Sequence, residues 1–466
     1  MAEQNNTWLL TRLREALGEK AVRGPEEVSA WRAPPWPTPV PRAGAGVVRP
    51  ATLEEAALTL RLCAEAGQRI VVAGGLTGLV HATDSAPDEL ILSLERMNRI
   101  RDIDPDGRVM IAEAGVTVEA AQKAADEAGL FYPVDFGARG SATIGGSLST
   151  NAGGNRVIRW GMTRDRVLGI EAALPDGTVL RALNTLIKNN TGYDLKDLLI
   201  GAEGTLGVIT AATLRLAEKP TSQCLAFAAV PSFASLKSFL RHMDQRLGGM
   251  LSAFEVMWPE AYQVLTSPPA KGRPPVPHGS PFTVLVEAMG GDLAADTERF
   301  ETALAEAHDQ GLITDAAMAK SGAEIDAFWR IRDDVLQFAQ FWPLQTFDVS
   351  LPITAMEGYI DTLEASLSAR FPGVRNFVFG HLGDGNLHLV IAPGAEDEET
   401  KRSVERLVYE PLRAISGSVS AEHGIGIEKR DYLAVSRTPE EIAWMKKLKD
   451  LFDPKGILNP GRVLMG

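Results

Sequence analysis

Residues 377–391, FVFGHLGDGNLHLVI, decide how this chain is read. Two apolar, β-rich runs flank Gly383-Asp384-Gly385-Asn386, and an Asp-Gly centre between such runs is the strongest short-range hairpin signal. With Asp384 and Gly385 as a two-residue loop, Gly383 pairs with Asn386, Leu382 with Leu387 and His381 with His388, making the two imidazoles direct cross-strand neighbours. Two neutral imidazoles this close suit a divalent metal. Glu422, in the run 420–426, SAEHGIG, offers a carboxylate, and two His with one acid and an open position is a known catalytic zinc arrangement. His423 would stand beside such an ion without having to bind it. The same histidines would also serve as ordinary strand residues bonded to backbone. The glycines around His381 and around Glu422-His423 favour the metal, because they let backbone and ligand approach closely.

The remainder of the chain sets bounds. Its 466 residues exceed one ordinary core, and about one domain per 150 residues predicts two or three. With 45% hydrophobic and 23% charged residues the composition is that of a soluble globular protein. A net charge of −13 argues against a general nucleic-acid or anionic-membrane surface. Cys63 and Cys224 are too few for a disulfide framework and read as reduced thiols in a cytoplasmic setting. No stretch reaches the ~18 apolar residues of a membrane span, and Met1 to Glu19 is charged throughout, unlike a signal-peptide core.

Along the sequence, a first amphipathic helix leads to the Pro-rich WRAPPWPTPVPRAG (31–44), expected to run extended over a surface. Thr52 to Glu55 is a capping-box pattern that opens a helix closed by Gly67. A short strand, Arg69 to Ala73, enters Gly74-Gly75-Leu76-Thr77-Gly78-Leu79. The spacing is not G-x-G-x-x-G and no helix follows, so the turn reads as a nest of backbone N–H groups able to hold a pyrophosphate, or as a plain tight turn. Two more small-residue runs, 141–155 and 201–210, break the tie, because so many glycines are costly to order unless a large flat cofactor lies against them. Leu168 to Leu183 reads as a hairpin around Asp176-Gly177. From about Thr221 strands alternate with long helices. The segment 266–281 has six prolines and is expected to be an exposed loop. One helix from Ala323 to Phe341 carries Trp329, Arg330 and Arg332. No internal repeat is visible.

Six motifs then occur in order: AGGLTGL (73–79), ATIGGSLSTNAGG (142–154), NNTGYDLKDLLIGAEGTLGVIT (189–210), GHLGDGNLH (380–388), SAEHGIG (420–426) and DPKGILNPGRV (453–463). Together they resemble the flavin-dependent D-2-hydroxyacid dehydrogenases, a group similar in fold to vanillyl-alcohol oxidase that includes D-lactate, D-2-hydroxyglutarate and glycolate dehydrogenases. The resemblance implies an α+β fold. A two-subdomain FAD-binding domain would span residues 1–220, with a terminal extension over 1–45. A ferredoxin-like substrate cap would follow over 221–420, and 421–466 would return to the FAD domain.

The resemblance also assigns residues. Gly74, Gly75, Leu76, Thr77, Gly78 and Leu79 would hold the FAD pyrophosphate. Pro133, Asp135, Ala142, Thr143, Gly145, Gly146 and Asn151 would line the flavin and ribityl chain, with Glu203, Gly207, Ile209 and Asn459 by the rest of the cofactor. His81 stands where some relatives of the wider fold attach flavin covalently, but this branch implies non-covalent FAD. Zinc, or another divalent metal, would sit on His381, His388 and Glu422 and chelate the substrate hydroxyl and carboxylate. His423 would be the base, Arg332 and Asn386 would bind the substrate carboxylate, and hydride would pass to flavin N5. An external acceptor (an electron-transfer flavoprotein, a cytochrome or a quinone-linked partner) and a homodimer are further implications.

The sequence departs from the dicarboxylate pattern, in which a Thr follows that Arg and a Lys lies in the next strand. Here those positions are Leu336 and Thr346, which favours a D-2-hydroxy acid that is D-lactate-like or of medium length. D-2-hydroxyglutarate, or a role as the flavin subunit of a larger glycolate or lactate oxidising complex, is the alternative.

Overall fold

The structure is a computed structural model that describes residues 2–32 and 42–465, so most of the Pro-rich stretch 31–44 lies outside the described residues. Two compact units form: Met1–Gly154, Gly161–Lys219 and Glu422–Gly466 make the first, Asn155–Trp160 and Pro220–Ala421 the second.

Besides a two-stranded pairing of Leu130–Phe131 with Ala217–Glu218, the first unit holds two larger sheets. In one, Gly46–Val48, Leu90–Ser93 and Ile70–Ala73 run parallel in that order, with Val22–Arg23 added antiparallel at the edge. Helix Leu53–Ala66 starts where Thr52 Oγ1 accepts from Glu55 N and ends at Gly67 in the left-handed region (φ 67°), as the capping pattern predicts. Its face of Leu53, Ala56, Leu60 and Cys63 joins Ile70, Leu90 and Leu92 in one apolar core, which gives a parallel sheet the cover it requires. The other sheet is antiparallel, in the order Ile100–Asp104, Val109–Glu113, Val208–Arg215, Val167–Ala173 and Val179–Ala182. Its last two strands are the hairpin expected around Asp176-Gly177. The tail is pinned to the first sheet, with Ile70 N donating to Ile457 O (2.7 Å) and Asn459 N to Ile70 O (2.8 Å).

The second unit is built on seven antiparallel strands: β1 (Ser222–Val230), β2 (Leu251–Met257), β3 (Phe282–Gly290), β4 (Asp315–Met318), β5 (Gln345–Ser350), β6 (Arg375–His381) and β7 (Asn386–Ala392), in the order β4-β1-β3-β2-β6-β7-β5. β1, helix Phe233–Leu247, β2, β3, helix Leu293–Asp309 and β4 follow β–α–β–β–α–β with spatial order 4-1-3-2, the ferredoxin-like pattern. β5, helix Met356–Arg370, β6, β7 and helix Glu398–Tyr409 repeat it, with Ser418 bridging Ser350 in the place of a fourth strand. A repeat is therefore present although none is visible in the sequence. Its copies agree in topology and in the placing of apolar residues, which need not leave matching letters.

The repeats join edge to edge through β2 and β6, with Glu255 opposite His381, Val256 opposite Gly380 and Met257 opposite Phe379. Strand alternation gives this sheet two different faces. One meets the repeat helices, with Phe239 on Phe254 and Tyr409 on Phe347. The other is partly covered by residues 259–281 and 322–341, with Phe328 on Phe227 and Phe338 stacked on Phe377 at 4.8 Å.

Two expectations change in this segment. The helix read as 323–341 stops at Asp333, and a 3-10 turn, Val335–Phe341, follows. The Pro-rich stretch 266–281 is not simply exposed: Val276 is buried and its carbonyl accepts from Tyr262 Oη (2.7 Å). Among the described residues no helix is long and apolar enough to cross a membrane.

Candidate active site

On the open face of the second sheet, the strand register lines up a row of charged and imidazole side chains. β7 pairs Phe379, not His381, with His388. Gly383-Asp384-Gly385 makes a longer turn than a two-residue loop: Leu382–Asp384 is 3-10, and Gly385 takes φ +88°. Asp384 Oδ1 accepts from Asn386 N at 3.3 Å, the local bond that favours this turn. The shift amounts to two residues, and because the side-chain period is two both histidines keep the same face and meet diagonally. Their Nε2 atoms lie 3.3 Å apart and their rings cross at 82°.

Each histidine has an acid directly opposite on its outer neighbour. Glu255 on β2 faces His381, and Asp348 on β5 faces His388. Glu255 Oε1 lies 2.6 Å from His381 Nδ1, so that nitrogen carries the proton and Nε2 presents its lone pair. Arg332 adds to this centre, its Nε donating to Glu255 Oε2 (2.8 Å) while Nη2 lies 3.2 Å from His381 Nε2. Burial alone would raise the Glu255 carboxyl, but His381 and Arg332 outweigh it and hold the group down at about 2. Arg332 is 7% exposed, whereas Arg330 Nε turns back to Asp326 O on the surface. Two imidazole nitrogens at this separation suit a shared cation better than they suit each other, and in the structure the lone pair of His381 Nε2 faces Arg332 Nη2.

Asn386, expected at the substrate carboxylate, is otherwise engaged. Its Nδ2 donates to Asp348 Oδ1 (2.9 Å) and Val349 O (3.0 Å), and its buried Oδ1 can only accept. It orients Asp348 instead. Asp348 Oδ2 in turn accepts from Ala421 N (3.1 Å), and the backbone continues directly into Glu422 and His423.

A second buried acid on the same face, Glu287, takes Arg156 through two bonds (3.0 and 3.2 Å), with Ser252 Oγ, Gln223 Nε2 and Trp329 Nε1. Glu255, Glu287 and Asp348 were all missed in the sequence. The available signal was a single carboxylate in a strand with no other charge, LSAFEVM, FTVLVEAMG and QTFDVS, which burial can sustain only with a partner.

In the first unit the glycine-rich runs come together. A Cβ at Gly74 would lie 2.8 Å from Thr143 Oγ1, and one at Gly75 would collide with the carbonyl of Ser141. Among the described residues, no backbone N–H from Gly75 to Leu79 donates to a protein acceptor, as suits a nest that receives a phosphate anion. Thr143 caps helix Ile144–Thr150, Gly145 N donates to Ala114 O, and Asn151 closes the helix in the left-handed region (φ 50°) with Oδ1 on Arg164 N. Ala142 is buried, and Asp135 Oδ1 takes Arg139 at 2.8 Å, two residues after Pro133.

Other residues assigned to the cofactor hold loops. Glu203, fully buried, accepts from Ile425 N (2.7 Å) and Gly426 N (2.8 Å), and so fixes the run that begins with Glu422-His423. Burial pushes its carboxyl up, and those N–H groups and Lys429 offset this in part. Asn459 donates to Glu203 O (2.7 Å) and accepts from Val72 N (2.8 Å). Ile209 lies in the core, and Gly207 is packed against Leu199 and Leu174. Glu422 accepts from Gly154 N. His81 Nδ1 is 2.8 Å from Asp84.

Residues 44–183 match the FAD binding domain family, and residues 219–463 match the C-terminal domain of FAD linked oxidases. D-2-hydroxyglutarate dehydrogenase, mitochondrial, of Bos taurus is 38% identical over 460 residues, covering 98% of this chain and 83% of the relative. D-2-hydroxyglutarate dehydrogenase of Stutzerimonas stutzeri (strain A1501) is 36% identical over 431 residues, covering 90% and 91%. Among solved structures, 4-ethylphenol oxidase from Gulosibacter chungangensis shares the fold at a TM-score of 0.76 and 16% identity, over 99% of this chain and 97% of that one. A flavin fold of the vanillyl-alcohol oxidase type, two matching FAD-oxidase domains and relatives similar over nearly the whole length place the protein in the family of FAD-dependent D-2-hydroxyacid dehydrogenases.

Proposed function

We propose that this enzyme oxidises a D-2-hydroxy acid to the 2-oxo acid, with His381, His388 and Glu422 holding a divalent metal and His423 taking the hydroxyl proton. The observation that carries the reading is the histidine pair, Nε2 to Nε2 at 3.3 Å, with the Nδ1 of His381 backed by a buried carboxylate as metal-binding imidazoles are. When bound, zinc supplies Lewis acidity without redox change and FAD supplies the two-electron acceptor. His423 would hold the proton on its imidazole, as a general base does. Arg332 gives its Nε to Glu255 and stands with Nη2 3.2 Å from His381 Nε2, which places its guanidinium beside the histidine pair, where a substrate carboxylate would meet it. The Gly74–Leu79 nest, with Thr143 and Gly145 beside it, holds the FAD pyrophosphate. An external acceptor would receive the two electrons of the oxidation, and the working form would be a homodimer. Two buried, unbridged cysteines support a reducing, cytoplasmic-type setting.

The preferred substrate carries a short or uncharged side chain. Thr346 and Val390 stand opposite each other on the histidine face, one step along from Asp348 and His388, and Leu336 is 64% exposed nearby in sequence to Arg332. None of these carries a positive charge to pair with a second carboxylate. The relatives' names favour D-2-hydroxyglutarate as the second reading. Anaerobic mixing with D-lactate, D-2-hydroxybutyrate, D-malate, D-2-hydroxyglutarate and the L-acids, before and after metal removal, tests all three statements through loss of the flavin's visible absorbance. D-lactate or D-2-hydroxybutyrate should exceed D-2-hydroxyglutarate in kcat/KM by about tenfold or more, the scale on which an unpaired group is rejected. The reverse order would overturn the substrate assignment, and full bleaching by metal-free enzyme would overturn the metal.

A further inference from the structure

We propose that Glu255 is a positioning residue that sets both the metal-binding imidazole of His381 and the substrate-binding guanidinium of Arg332; this rests on the metal reading given above. The carboxylate is 1% exposed, and each oxygen serves a different partner: Oε1 takes His381 Nδ1 at 2.6 Å and Oε2 takes Arg332 Nε at 2.8 Å. Glu255 and His381 are directly opposed in the sheet, so backbone pairing fixes their approach. The guanidinium is fixed on a second side by the Phe379 ring, 5.5 Å from its centroid.

One rigid group therefore determines the angle between imidazole and guanidinium. It fixes the His381 tautomer that leaves Nε2 as the ligand atom, and it occupies Arg332 Nε, which holds the guanidinium with Nη2 3.2 Å from that same Nε2. Glutamine cannot replace it. An amide has one acceptor oxygen for two donors and turns its NH2 group toward an N–H.

The test compares E255Q with E287Q in FAD-loaded enzyme. Glu287 is equally buried and ion-paired on the adjacent strand β3, but its bonds run to Arg156, Trp329, Ser252 and Gln223 and to neither His381 nor Arg332. Zinc affinity, read by competition with a chromophoric chelator, should fall about 10- to 100-fold in E255Q and stay within about twofold of wild type in E287Q. The KM for the D-2-hydroxy acid should rise about tenfold in E255Q alone, the loss expected for one displaced charge-assisted hydrogen bond.

Unchanged zinc affinity in E255Q, or an equal loss in E287Q, overturns the assignment. If E255Q does not fold, E255D carries the same test, because it keeps the charge and withdraws the oxygens by one methylene: a loss of about tenfold supports the assignment, and wild-type affinity overturns it. Wild-type enzyme that binds no zinc overturns the metal reading together with this inference, whereas zinc bound equally by wild type and E255Q overturns the inference alone.

Discussion

Alanine at His381 should lower kcat/KM by about a thousandfold, roughly 4 kcal/mol of transition-state stabilisation, while the protein stays yellow. The substitution removes one of the two imidazoles proposed to hold the metal, and Glu255 retains Arg332 as its partner, so the buried carboxylate is not left alone. The FAD-binding loops belong to the other unit and keep their internal bonds. Steady-state kinetics with the best D-2-hydroxy acid, together with zinc per flavin, check this. Activity within tenfold of wild type at full flavin occupancy would remove the histidine pair from the chemistry.

The second large effect is on stability. Arg156 comes from the six-residue excursion Asn155–Trp160, which leaves the first unit's sequence and packs in the second. Its side chain is 11% exposed and meets Glu287 through two parallel bonds. Arg156→Ala leaves Glu287 charged and buried with neutral donors only, a change that costs about 3–5 kcal/mol and should appear as a lowered denaturation midpoint.

A pH dependence follows from the same pair. Burial by itself would raise the Glu287 carboxyl, but Arg156 and the bonds from Ser252 and Gln223 overcome it and hold the group below the ordinary carboxylate range. With the folded value below the unfolded one, near 4.3 for glutamate, the pair's stabilisation is present above about pH 4.3 and is lost as pH falls through the lowered folded value. Chemical denaturation from pH 7 downward should show wild type losing stability over that range. Arg156→Ala, already without the contribution, should show a smaller loss, and parallel curves would refute this account.

What the sequence disclosed was largely local. Thr52 and Gly67 bound their helix because caps are short-range devices, and Asp176-Gly177 turns the hairpin that such a pair predicts. The histidine face was also legible, because alternation is insensitive to a two-residue slip, although the pairing itself differs because Gly383-Asp384-Gly385 forms a longer turn. Long-range partners were not legible. Nothing near Glu255 names His381 or Arg332, and the segment after Gly154 gives no local sign that Arg156 belongs with Glu287. Glu203 and Asn459 show the same limit: their motifs stand out, but their bonds run to Ile425, Gly426 and Val72.

The seam between the two halves of the seven-stranded sheet has a consequence for assembly. Each half ends in the same kind of edge, its second strand, and the two edges run antiparallel, as two copies of one edge would across a twofold axis. Glu255 and His381 therefore come one from each half and meet only because the halves are joined at this edge. Neither half alone holds the pair. Separated today, each half would present that unpaired rim to any strand able to add to it.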